Sequence, residues 1–182
     1  MSDDTVLSTS ITEPSPTAGE AESLLFALER SRAQFAWKVG GLDTAALHAP
    51  HPPTEMTLAG LVKHLALVED QRTAEDLGGP GYSAVWSGWD GPGWEWRSAA
   101  DDDAAHLYAL WSGAVERARS AWARELAAEG GLDRRSARGG EGALSLRRVL
   151  VDLQDEYARH VGHADLFREA TDGLVGEDPP QR

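Results

Sequence analysis

The stretch EYARHVGH, residues 156–163, places a carboxylate and two imidazoles at helical spacing. Glu156, His160 and His163 are separated by four and then three residues, and positions i, i+4 and i+7 of a helix share one face. A carboxylate and an imidazole four residues apart on a helix can both reach one divalent ion. A third ligand from a facing helix would complete the set and leave coordination positions for water or substrate.

His64 is the candidate for a ligand on a facing helix, because it lies beside Leu61 and Val68 on the apolar side of its segment. Explanations without a metal stay open at this point. A single histidine on an apolar face is commonly a packed core residue, and a Glu-x-x-x-His pair is often a surface ion pair. A buried carboxylate needs a compensating partner, which either a metal ion or a buried arginine would supply.

The elements that must position these residues are four amphipathic segments. Thr57 and Ser145 are suitable N-caps, and the run Asp101–Asp103 places negative charge at a helix N-terminus. No segment shows the alternation of a strand, so we predict an all-α protein, a four-helix bundle with a Trp-rich loop between the second and third helices. The predicted helices cover residues 22–39, 57–77, 101–128 and 145–173.

The 182 residues, 41% of them hydrophobic, are sufficient for one domain with a core. We predict a disordered acidic leader over residues 1–19, a metal-binding bundle over 20–175 and a flexible tail over 176–182. The leader has neither the basic nor the apolar part of a signal peptide, so we expect a cytoplasmic protein. No apolar run approaches the ~18 residues of a membrane span, so no membrane partner is expected.

The chain contains no cysteine, which excludes disulfides, thiolate metal ligands and a cysteine nucleophile. The formal net charge of −13 would repel a phosphate backbone, so we expect no nucleic-acid partner. Both a monomer and a homodimer are compatible with this composition.

The stretch YSAVWSGWDGPGWEW, residues 82–96, carries four tryptophans among several glycines. The tryptophans are candidates for substrate binding, as a lid and an apolar wall over the metal. The alternative is that they pack on the flank of the bundle. The four residues are Trp86, Trp89, Trp94 and Trp96.

Two segments, MTLAGLVKHLALVE (56–69) and SLRRVLVDLQDEYARHVGHADLFREATDG (145–173), resemble the DinB-like superfamily. The closer resemblance is to its actinobacterial branch of mycothiol-dependent S-transferase-like proteins. FALERSRAQFAWKVGGLDTAALHAP (26–50) and a Trp-rich stretch before the third helix also fit that branch. The resemblance covers most of residues 20–173, and EYARHVGHADL is its most specific part.

The resemblance implies an up-down-down-up four-helix bundle that binds a divalent metal, usually zinc, with Ni²⁺ or Fe²⁺ as alternatives. The family's ligand positions fall on His64, Glu156 and His160. A Glu at the second of these positions is similar to mycothiol-dependent maleylpyruvate isomerase. His163 lies at a position that is often Gln in the wider superfamily. We predict that it is a catalytic residue that hydrogen-bonds a ligand or the substrate or relays a proton; a packed histidine or a helix-terminus cation is the alternative.

Two departures from the family pattern concern the pocket rather than the implied ligands. Asp70, Gln71 and Arg72 follow LALVE where the branch usually has an aromatic residue, and Val161 replaces a polar residue in EYARHVGHADL. These changes bear on pocket shape and on the substrate.

The resemblance implies a metal-dependent transferase that activates a low-molecular-weight thiol, mycothiol, for attack on an electrophilic small molecule. Because the chain has no cysteine, the thiol must be a cosubstrate. A thiol-dependent isomerase on the same fold, a non-catalytic metal- or small-molecule-binding stress-response protein and a purely structural bundle without metal are the alternatives.

Overall fold

The computed structural model describes residues 7–79 and 86–181, and within these ranges the chain forms helices and no strand. Short 3₁₀ turns at Ala99–Asp101 and Gly131–Asp133 and one isolated bridge between Arg135 and Ser145 complete the secondary structure. The prediction of an all-α chain is therefore confirmed for the described residues. The α-helices are α1 (Glu20–Val39), α2 (Thr44–Leu47), α3 (Leu58–Glu75), α4 (Trp94–Ser98), α5 (Ala104–Ala127) and α6 (Leu146–Asp172).

Helices α3, α5 and α6 begin where the sequence offers a side-chain oxygen acceptor, whereas α1 begins after Gly19 without a side-chain cap. The Thr57 hydroxyl accepts from the backbone of Gly60 at 3.1 Å and starts α3. Asp103 starts α5, and Ser145 starts α6, each by accepting from a backbone N–H three residues on. Such a contact satisfies one of the orphan donors of the first helical turn. Gly173, at φ 79°, ends α6 in the left-handed conformation that glycine adopts without strain.

Helix α1 packs along α6 and α3 packs along α5, while α3 also contacts α6. The contact between α3 and α6 matters for function because these two helices carry the candidate ligands. Large buried side chains fill the space between the helices, among them Phe35, Tyr108, Trp111, Trp122 and Tyr157.

A buried ion pair lies within this core. Arg32 of α1 donates to both oxygens of Glu69 of α3 at 2.8 and 2.7 Å, and the Tyr157 hydroxyl of α6 donates to the same carboxylate at 2.7 Å. Arg32 and Glu69 are 1% and 0% exposed. Burial, followed by the charge of Glu69, raises the pKa of Tyr157 well above its usual value, so the hydroxyl keeps the proton that it donates.

Two short helices differ from the sequence prediction. Helix α2 begins where Asp43 accepts from the backbone of Ala46, and its four residues are too few to show a period. Helix α4 places Trp94 and Trp96 on a helical turn rather than in a loop, after Gly93 at φ 79° redirects the chain. The first part of the predicted Trp-rich loop, residues 80–85, lies outside the described residues.

The two described ends of the chain contact each other. Leu7 is 8% exposed and belongs to the core, the backbone N–H of Ile11 donates to Gln181 Oε1 at 2.9 Å, and Gln181 Nε2 donates to the carbonyl of Thr9. Residues 1–6 of the predicted leader and Arg182 of the predicted tail lie outside the described residues. The division into leader, domain and tail stays a prediction.

Candidate metal centre

His64, Glu156 and His160 converge between α3 and α6. Each residue offers one ligand atom, and these atoms all lie within 4.8 Å of one another. His160 Nε2 lies 3.3 Å from Glu156 Oε2, and the rings of His64 and His160 have their centroids 4.8 Å apart. Two ligand atoms at the usual distance from a tetrahedral Zn²⁺ lie roughly 3.4 Å apart. The described residues thus bring the three predicted ligand positions together, and we call these three residues the triad.

The donor set of the triad fits a divalent transition metal. Imidazole nitrogen and carboxylate oxygen are ordinary zinc ligands, and three protein ligands leave a position for an exchangeable group. His160 is buried, whereas Glu156 and His64 are partly exposed, with 32% and 19% of their side-chain surface accessible. His160 therefore forms the buried side of the site, and the site is accessible to solvent beside Glu156 and His64.

His160 is held in the neutral form that a metal ligand requires. Burial, together with repulsion from His64, His163 and Arg159, lowers the pKa of His160 to about 4. An imidazole is neutral at pH values above its pKa, so at pH 7 the ring has a lone pair to offer.

His163 lies beside the triad but is not one of its members. Its Nδ1 is 3.3 Å from Nδ1 of His160, and the two ring centroids are 5.3 Å apart. The side chain therefore faces the ring nitrogen of His160 that points away from Glu156. It also lines a cleft of about 750 Å³ between α6 and residues 49–56, where His51 stacks on Phe167 at 4.3 Å.

The tryptophans of the Trp-rich stretch have different surroundings. Trp96 stacks on the His64 ring with a centroid distance of 4.7 Å, and Trp94 meets Trp86 edge to face at 6.3 Å. Trp86 is buried and donates through Nε1 to Asp70, whereas Trp89 is 53% exposed. Trp86 and Trp89 line a cleft of about 600 Å³. Trp96 is therefore the tryptophan that contacts the triad directly.

Glu95 is a site residue that the sequence reasoning missed. It lies on α4 between Trp94 and Trp96, is 7% exposed, and its Oε1 is 3.2 Å from Nδ1 of His64. The sequence signal that could have found it is a carboxylate flanked on both sides by large aromatic residues, which predicts a buried charge in need of a partner.

A comparison with protein-family models assigns the chain to a family. Residues 23–173 match the family described as Mycothiol-S-transferase. The chain belongs to the Mycothiol-S-transferase family. The match confirms the resemblance to DinB-like, mycothiol-dependent S-transferases and includes the whole triad. No curated protein matches the chain. Within residues 7–79 and 86–181 of this Mycothiol-S-transferase family member, none of the helices has the length and apolar character needed to cross a bilayer.

The lowered pKa of His160 predicts how the stability of this Mycothiol-S-transferase family member depends on pH when metal is removed by a chelator. Unfolding returns the ring to a pKa of about 6.5, so the unfolded chain binds a proton that the folded chain excludes. The contribution of His160 to the free energy of unfolding is fully present above pH 6.5 and is lost as the pH falls to about 4. The loss corresponds to about 3 kcal/mol.

The measurement is urea unfolding of the metal-free protein between pH 7.5 and pH 4. His160→Gln serves as the control, because it removes the titrating group, and the variant is expected to show a shallower decline. Equal pH dependence in the two proteins would contradict the prediction.

Proposed function

We propose that the protein is a divalent-metal-dependent S-transferase that activates mycothiol for attack on an electrophilic small molecule. The observation that carries the proposal is the convergence of His64, Glu156 and His160 in a chain of the Mycothiol-S-transferase family. A family assignment alone would not indicate whether this chain keeps a complete ligand set. The absence of cysteine supports a cosubstrate thiol, since the protein has no thiol of its own.

In this proposal the triad holds the ion, which is Zn²⁺, with Ni²⁺ or Fe²⁺ as alternatives. Bound zinc lowers the pKa of a coordinated thiol, so that the thiolate is available at neutral pH. With Nε2 of His160 as a ligand, Nδ1 of that ring carries the proton and donates to Nδ1 of His163. His163 thereby fixes the His160 ring and offers a route for a proton.

The four tryptophans are proposed to form the substrate side of the site. Trp86 and Trp89 supply walls of the cleft of about 600 Å³, a size that suits a small organic ligand. Trp96 covers the His64 ring, and Trp94 supports Trp86. We further propose that the four long helices form an up-down-down-up bundle, that the protein acts in the cytoplasm as a monomer or homodimer, and that its role is detoxification in an actinobacterium.

The test is conjugation of mycothiol to chlorodinitrobenzene by the purified protein, before and after metal removal. We expect about one equivalent of divalent metal per chain, turnover above the uncatalysed rate, and loss of turnover in chelator with recovery on adding Zn²⁺. Chloride should be released in step with loss of the mycothiol thiol, because the new carbon–sulfur bond replaces the carbon–chlorine bond.

Other outcomes would replace the proposal. Metal binding with no turnover on any mycothiol and electrophile pair would favour the non-catalytic binding protein. Conversion of a substrate without net consumption of thiol would favour the isomerase. Less than about one tenth of an equivalent of metal, with stability unchanged in chelator, would leave only a structural bundle.

A further inference from the structure

The carboxylate of Glu95 lies directly behind the candidate ligand His64. Oε1 of Glu95 is 3.2 Å from Nδ1 of His64, whose side chain is 19% exposed. Trp96, on the same short helix as Glu95, stacks on the face of the His64 ring with an angle of 24° between the ring planes. Helix α4 therefore contacts the imidazole both at an edge and on a face. An imidazole held in both ways cannot rotate about χ2 without losing one of the contacts.

Several contacts fix α4 on α3. Trp86 Nε1 donates to Asp70 Oδ2 at 2.8 Å, and Arg117 donates to both oxygens of that buried carboxylate at 2.9 Å. Trp94 of α4 packs edge to face on Trp86. The Nζ atom of Lys63, on α3, lies 4.7 Å from the centroid of the Trp94 ring. Asp70, one of the residues by which this chain departs from the family pattern, thus supports α4 indirectly, through Trp86 and Trp94.

The contact with Glu95 determines which ring nitrogen His64 presents to the triad. A carboxylate accepts hydrogen bonds, so the neutral ring carries its proton on Nδ1 and donates it to Oε1. The lone pair is then on Nε2, at the opposite edge of the ring. This tautomer is the one that a histidine needs in order to ligate a metal through Nε2.

Burial gives an independent reason to expect a cation near this ring. Glu95 is 7% exposed, and a neutral imidazole compensates a buried carboxylate less well than a charged partner does. A divalent ion on the far side of the His64 ring would polarise the Nδ1–H bond and supply the missing positive field. Glu95 therefore fits the role of the carboxylate partner of a histidine that would hold a metal ion.

We propose that Glu95 is a positioning residue that orients His64 for metal binding, an inference that rests on the proposed function for the identity of the ligands. Glu95 also lines the cleft of about 600 Å³ with Trp86 and Trp89. An occupant of that cleft would lie beside the side chain that contacts His64. The proposed substrate cleft and the candidate ligand His64 thus share one side chain.

The experiment measures Zn²⁺ affinity by chelator competition in wild type, Glu95→Gln and Glu95→Ala. Loss of a partner behind a metal-ligating histidine typically weakens metal binding by about 10- to 100-fold, and we expect this loss in the alanine variant. The glutamine variant keeps an acceptor oxygen but loses the charge, so its affinity should be intermediate. Asp90→Asn is the matched control, because Asp90 is an exposed carboxylate of the same segment that pairs with Arg97 at 2.7 Å.

A second measurement distinguishes orientation from general destabilisation. Nitrogen-15 NMR of the metal-free protein reports the His64 tautomer, which should shift away from the Nδ1–H form in Glu95→Ala and remain unchanged in Asp90→Asn. Thermal unfolding of Glu95→Gln, which nearly preserves the shape of the side chain, checks that the fold is retained.

The outcomes separate the two proposals. Wild-type Zn²⁺ affinity and an unchanged His64 tautomer in both Glu95 variants would overturn this inference and leave the proposed function standing. A wild type that binds no metal would overturn the proposed function, and the tautomer measurement alone would then decide whether Glu95 orients His64.

Discussion

Glu69→Ala is expected to lower the free energy of unfolding by about 3–5 kcal/mol, which is a large part of the stability of an ordinary domain. The carboxylate accepts two hydrogen bonds from Arg32 and one from the Tyr157 hydroxyl. Its removal leaves the Arg32 guanidinium, which is 1% exposed, with Glu29 as its remaining ion-pair partner. A partly exposed carboxylate then compensates a guanidinium that is buried, and breaking a buried ion pair by removing one partner is among the costliest single changes in a protein core.

Glu29→Ala is the matched control for this prediction. Glu29 also pairs with Arg32, at 2.6 Å, but its side chain is 37% exposed. Partly exposed pairs contribute about 0–1 kcal/mol, so the control should cost much less than Glu69→Ala. The comparison is made by urea unfolding at pH 7.5. An equal decrease in the free energy of unfolding in the two variants would show that the buried Arg32–Glu69 contact stabilises the fold no more than the partly exposed Arg32–Glu29 contact.

His160→Ala is expected to weaken Zn²⁺ binding by more than about 100-fold. The residue is the most buried member of the triad, and its Nε2 lies at ligand spacing from Glu156. Removing a ligand should exceed the 10- to 100-fold loss that follows from removing a group behind a ligand. Affinity is measured by chelator competition, with circular dichroism to confirm that the helices are retained.

His163→Ala provides the comparison that makes this prediction specific. His163 is on the same helix and contacts His160, but it is outside the triad. We expect a loss of about 10-fold, the lower end for a group behind a ligand. If His163→Ala lowers Zn²⁺ affinity as much as His160→Ala or more, the ligand set must be reassigned. If metal binding survives His160→Ala, the proposed ligand set is refuted.

The local features of this fold could be predicted from the sequence because they depend on neighbouring residues. The caps at Thr57 and Ser145 are formed with backbone groups three residues away, and the spacing of Glu156 and His160 is set by a single helical turn. The helix ends were less well predicted: α1 begins at Glu20 rather than residue 22, and α3 ends at Glu75 rather than residue 77. Helix ends depend on weak competing contacts that a periodic pattern does not report.

Contacts between distant segments could not be predicted in the same way. Glu95 meets His64 across 31 residues, and Arg32 meets Glu69 across 37. The flanking tryptophans could indicate that Glu95 is buried, but no local pattern identifies the partner of either carboxylate, because the packing of whole helices determines which residues meet. The apolar face of its segment suggested His64 as a candidate ligand, and the family resemblance then implied that it joins Glu156 and His160, because a resemblance carries information about packing that spacing alone does not.

The close approach of α4 to α3 has a consequence for the backbone of α3. A Cβ atom built at Gly60 would lie 2.7 Å from Cε3 of Trp96, the ring that stacks on His64. Glycine inside a helix costs about 1 kcal/mol relative to alanine, so α3 gives up intrinsic helicity at this position. The space that a side chain at residue 60 would fill is occupied by the indole of Trp96. The absence of a Cβ atom at this position therefore determines how closely Trp96 can pack on the imidazole of His64, the candidate ligand four residues further on.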